Sequence, residues 1–196
     1  MKTRLFLLVL CALLAFAAQA HALLIITPAS GDLNSDPDFL NESRWEGTQT
    51  AQPQINDVIG PIMAVYGTNL PDLYKKEVSP SVESGVLAPN YATSFSGEPN
   101  GAIITYGEGA FVRPAAFLLV KDGNAEPAWY LFYLTGLGWD GQAVLELRGF
   151  WEGEEVQGSI SHVSLYGNPV PEPVSMLLFG SGLVGVGAYI RKKFKK

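Results

Sequence analysis

The chain has 196 residues, a formal charge of −6, one cysteine and two histidines. A single cysteine excludes a disulfide framework and a thiolate metal site, and two histidines exclude a histidine-rich zinc centre. Residues 23–168 carry eighteen acidic side chains against six basic ones. Such a surface repels nucleic acid and anionic polysaccharide, which are held by clustered Lys and Arg, and leaves neutral sugars, cations and proteins as partners.

The first segment is a targeting signal. Lys2 and Arg4 precede an uncharged apolar run, Leu5–Phe16, and Ala18-Gln19-Ala20 and Ala20-His21-Ala22 both offer small residues at a cleavage site. The run is short for a membrane span, so the pattern reads as a secretory signal peptide over residues 1–22, cut by signal peptidase. Cys11 lies inside it, so an exported product has no thiol.

"LLIIT" (23–27) predicts a first strand, broken by Pro28. The following "ASGDLNSDPDFLNESRWEG" is rich in Asp, Asn, Ser and Gly and predicts a loop. Within it Asp32, Asn34, Asp36 and Asp38 form D-x-N-x-D-x-D, the opening of a calcium loop. Pro37 and Ser43 stand where an EF-hand needs Gly and Glu, so the motif fails as an EF-hand; a looser oxygen-ligand calcium site competes with a plain acidic loop. Asn41-Glu42-Ser43 matches a glycosylation sequon.

Residues 53–66 place Ile55, Val58, Ile59, Ile62, Met63 and Tyr66 on one helical face. Pro53 suits a first turn, and Pro61 is expected to kink the helix or end it. "PDLYKK" (71–76) predicts a short helical turn, and 79–90 a loop. From residue 91 the pattern turns to strands: "YATSF", "AIITY", "AAFLLV", "AWYLFYL", "AVLELR" and "SISHVSLY", separated by "KDGNAEP" and "GLGWDG". "AVLELR" alternates cleanly, whereas "AWYLFYL" is apolar on both faces and suits a central strand. The fold expected is mainly β, an antiparallel β-sandwich of jelly-roll type over residues 23–168 with one short amphipathic helix.

Candidate chemistry is thin. His162, expected to alternate with Ile160, Ser164 and Tyr166 on a strand face, has no G-x-S-x-G serine to serve. Glu152, Glu154 and Glu155 beside Trp151, with Asp140 beside Trp139, would suit a glycosidase only at the right carboxylate separation. Of the four tryptophans, Trp129 reads as core. Trp139, between glycines, is the expected exposed platform for stacking a sugar. No catalytic residue is assigned, and no cofactor beyond the candidate calcium site; the chain reads as a non-enzyme.

The C-terminal segment, 169–196, is more informative. Residues 174–190 contain no charge and number seventeen, about 26 Å as a helix, which is short for a span. Arg191, Lys192 and Lys193, with Lys195 and Lys196, then place the C-terminus in the cytoplasm and the domain outside. Ahead of the span, two prolines hold Val170-Pro171-Glu172-Pro173 extended. A VPEP tetrapeptide, a short Gly-rich apolar span and an Arg/Lys cluster, in that order, resemble the PEP-CTERM sorting signal of Gram-negative bacteria. The resemblance implies that Val170–Pro173 are read by exosortase, a membrane-embedded transpeptidase, and that Arg191–Lys193 form the basic stop. It implies a membrane-anchored precursor sorted to the cell surface or extracellular polymer matrix. Val174-Ser175 stand where the common form has Ser-Thr, which bears on the bond cleaved. "RWEGTQT", "LLVKDGN", "PAWYLF", "LTGLGWDG" and "SISHVSLYG" also resemble segments of PEP-CTERM ectodomains that have no assigned activity. The function expected is structural or adhesive, in the envelope or biofilm matrix; the alternatives are a carbohydrate-binding module of the polysaccharide matrix and, more distantly, a secreted hydrolase.

Overall fold

A computed structural model describes residues 22–33, 42–70, 72–97, 99–122, 124–152 and 158–171. Residues 1–21, where a signal peptide is expected, Asn34, Asp36, Asp38, Asn41, Glu154, Glu155, and everything from Glu172 onward, including the 174–190 run and Arg191–Lys193, lie outside them.

In chain order the elements are β1 (Leu23–Ile26), β2 (Arg44–Gly47), α1 (Gln52–Val65), β3 (Tyr74–Glu77), β4 (Glu83–Ser84), β5 (Tyr91–Ser96), β6 (Gly101–Tyr106), β7 (Phe111–Val112), β8 (Phe117–Lys121), β9 (Trp129–Tyr133), β10 (Val144–Leu147), β11 (His162–Tyr166) and β12 (Pro169–Val170). They form a four-stranded sheet β1-β10-β6-β5, a six-stranded sheet β2-β9-β8-β11-β3-β4, and the two-stranded pair β12-β7. Among the described residues the fold is thus mainly β with one helix, as the periodicity predicts.

The six-stranded sheet carries apolar side chains on both faces. Leu118, Val120, Phe132, Val163 and Leu165 enter a core shared with Ile26, Ala102, Ile104, Leu145 and Leu147 of the four-stranded sheet. Their sequence neighbours Phe117, Leu119, Trp129, Leu131 and Tyr166 turn the other way, onto Ile55, Ile59, Ile62 and Met63 of α1. A period of two on a sheet covered on both sides explains why "AWYLFYL" is apolar throughout. β9 lies between β2 and β8. The four α1 residues are at most 3% exposed, each stabilising by roughly 1.5–3 kcal/mol through burial.

Pro53 sits in the first turn of α1, and the helix runs on through Pro61 to Val65 instead of ending there. Pro61 and Asp57 both lie on the exposed side, so the carbonyl left without a donor is on the hydrated face. At the C-terminal end Gly67, with φ of 74°, donates to Ala64 O at 3.0 Å. This is the left-handed exit that glycine makes cheaply.

Three expectations are corrected. "RWEG" is not loop but β2, paired antiparallel with β9 at Trp45↔Leu131. "PDLYKK" is not read correctly as a helical turn, since its Tyr74–Lys76 belong to β3, paired with β11 at Lys75↔Ser164. In both cases a partner far along the chain supplies the pairing that local composition lacks. Finally, β1 and β10 run parallel, with Ile26 opposite Leu147, so the sheets are not wholly antiparallel.

Candidate functional site at the C-terminal edge of the domain

Of the four VPEP residues, two are described, and they differ. Val170 is half-buried in β12, opposite Phe111, and packs against the main core; Pro171 is exposed. Strand pairing therefore continues two residues past the expected boundary at 168. Leading into it, Arg113 N donates to Asn168 O at 2.8 Å, and the Asn168 side chain donates to Gly67 O at 3.4 Å. Gly167 has φ of 153°, and a Cβ there would overlap Val112 Cγ1. Only glycine lets the chain turn out of β11 this close to β7. Sequence reading misses β12 because two residues containing a proline carry no strand periodicity; the one available signal is Val170 itself, apolar between prolines.

The partner strand β7 is fixed from within. Phe111 and Val112 are 6% and 0% exposed. The buried Tyr91 hydroxyl accepts from Val112 N at 2.9 Å and donates to Gly141 O at 2.7 Å. Burial pushes that phenol well above its usual range, so it stays a neutral donor.

The second polar locus is the α1-facing side of β11 and β3. His162 is 7% exposed; its Nδ1 lies 3.5 Å from Ser161 Oγ, and its Nε2 is buried without a hydrogen-bond partner among the described residues. Burial, then the charges of Lys75 and Lys121, push its pKa down to about 3. It is a neutral imidazole at any ordinary pH. A nucleophile–histidine–carboxylate relay needs partners on both ring nitrogens, and the described residues do not assemble one here. Ile160 joins the main core instead of sharing the face of His162. Nearby, Lys75 Nζ is 2.6 Å from Glu77, holding that carboxyl below its usual range. Ser164 Oγ donates to Asp72 Oδ2 at 3.5 Å. With Gln52, Asn56, Leu70, Lys75 and Tyr166 this pair lines a cavity of about 260 Å³.

Trp139 requires a correction. It is 4% exposed, its Nε1 donates to Ala143 O at 2.7 Å, and its ring lies 6.3 Å from that of Tyr91. Trp45, Trp129 and Trp151 are likewise no more than 4% exposed. None of the four presents a face to a sugar, because the turn that carries Trp139 folds inward over the core. Asp140 is a turn-former: burial alone would raise its pKa, but hydrogen bonds from Gln142 N and Ala143 N at 2.9 and 2.7 Å hold it below its usual value. Glu152 lines a separate open cleft of about 660 Å³ with Glu146 and Arg148, which pair with each other at 2.7 Å. Asp32 is exposed, and its backbone N donates to Ser43 Oγ at 3.0 Å; the other three candidate calcium ligands are outside the described residues. No helix among the described residues is long and apolar enough to cross a membrane.

Residues 169–193 match the PEP-CTERM protein-sorting motif. The match starts at the first residue of β12 and takes in the exposed Pro171 and the tail beyond it. No curated protein and no solved structure matches the chain.

Proposed function

We propose that this chain, which carries a PEP-CTERM protein-sorting motif over residues 169–193, is an exported protein whose β-rich domain exosortase delivers to the cell surface or the extracellular matrix. One observation carries the reading. The matched motif follows directly on a folded domain, with Pro171 exposed at the domain's edge and an apolar run and a basic cluster after it in that order. The domain is cargo in that reaction, and the role proposed for it is structural or adhesive rather than catalytic. Two sheets sharing one core support a β-sandwich description of that cargo.

The precursor crosses the inner membrane with signal peptidase acting at its start, and residues 174–190 hold it with the C-terminus inside until processing. Deleting Pro171–Pro173 tests this: the precursor is expected to accumulate, unprocessed, in the membrane fraction. Normal processing and surface display of the deletion variant would refute the reading.

A second reading, a carbohydrate-binding module, keeps one supporting observation. The 260 Å³ cavity is lined by two side-chain amides, a carboxylate and a hydroxyl, from Gln52, Asn56, Asp72 and Ser164. These are the donors and acceptors that pair with sugar hydroxyls.

A further inference from the structure

The motif and the fold overlap at Val170, and that overlap has a geometric cost for any enzyme that reads the motif. While β12 is paired with β7, Pro171 is the first free residue. Two further residues reach Pro173, so the motif stands off the domain by about 7 Å of chain at most. An active-site cleft that closes around an extended peptide needs room on both sides of it, and one side of Val170 is already taken by Phe111. Released back to Tyr166, the end of β11, the same tether is seven residues, about 24 Å.

The two partners are unequally held. β7 is locked by burial of Phe111 and Val112 and by the Tyr91 hydroxyl. β12 is two residues long, with Pro169 exposed, and lies at the end of the described fold. A short terminal pair of this kind belongs to the least stable part of a domain and opens locally without global unfolding. Peeling β12 away leaves β7 and the main core in place.

We propose that β12 is a latch on the sorting signal: the folded domain withholds Val170, and processing proceeds through the state in which residues 167–170 have lifted off β7. The inference rests on the sorting reading above. It adds Gly167, Asn168 and Arg113 as residues that govern access to the motif without belonging to it.

The test uses the full chain expressed with its exosortase, following conversion of precursor to product by pulse-chase. Gly167→Ala loosens the latch, because the added Cβ overlaps Val112 Cγ1 in a backbone region that L-residues avoid. Arg113→Cys with Asn168→Cys tightens it, placing two thiols on exposed, directly opposed residues in a chain whose one native cysteine is Cys11. Processing is expected to speed up by about fivefold or more in the first variant, to stall in the oxidised pair and to recover on reduction. Equal rates in wild type, Gly167→Ala and both redox forms of the pair, with the Pro171–Pro173 deletion still blocking processing, would overturn the latch and leave the sorting reading standing. Processing of the deletion variant would remove both.

Discussion

Replacing His162 by glutamine should flatten the acid side of the stability profile. The imidazole is buried among Lys75, Glu77, Lys121 and Ser161, with its pKa lowered from 6.5 to about 3. Between those values the unfolded chain takes up a proton that the folded chain refuses. Stability is therefore complete above pH 7 and is lost as pH falls below 6.5, at a limiting rate of about 1.4 kcal/mol per pH unit. The loss reaches about 2 kcal/mol by pH 5, and it levels off near pH 3, where the folded state protonates as well. Lys75 and Glu77 stay in place in both proteins, so their contribution largely cancels in the comparison. Urea unfolding of residues 22–171 at pH 7.5 and pH 5.0 measures the effect. Wild type should lose about 2 kcal/mol more than His162→Gln over that interval. Equal losses would mean that the imidazole is solvated or paired, and the burial argument would fail.

Three further substitutions check the packing around the motif, the tryptophans and the small cavity. Tyr91→Phe orphans Val112 N and Gly141 O in the core, and should lower unfolding free energy by about 1–3 kcal/mol with little change of volume; a shift within error would place water at the hydroxyl. Trp139→Ala is expected to destabilise by about 3–5 kcal/mol in thermal or urea unfolding. On a glycan array, any signal from folded protein should survive Trp139→Ala and vanish with Asn56→Ala; the opposite order would restore the tryptophan as the platform.

The helix was readable because its cause is local: four apolar residues at three- and four-residue spacing. So were the longer strands β5, β6, β8, β9, β10 and β11, where alternation such as Leu145, Glu146, Leu147 states which side faces the core. The sorting segment was legible for a different reason, since its information lies in linear order: an extended tetrapeptide, an apolar run, a basic cluster.

What composition could not reveal depended on partners distant in the chain. "RWEG" looks like loop and "LYKK" like helix until β9 and β11 supply their hydrogen bonds. Trp139 looks exposed between glycines, yet the turn folds it onto Tyr91. Of the candidate site, Pro171 was readable as an accessible proline, whereas the seat of Val170 on β7 was not. A two-residue strand has no periodicity of its own, and only the close passage of Gly167 over Val112 brings it there. That this chain carries a readable address follows from residue order alone. That the address begins inside the folded domain depends on the three-dimensional fold, because backbone pairing across some sixty residues can claim a segment that local chemistry leaves free.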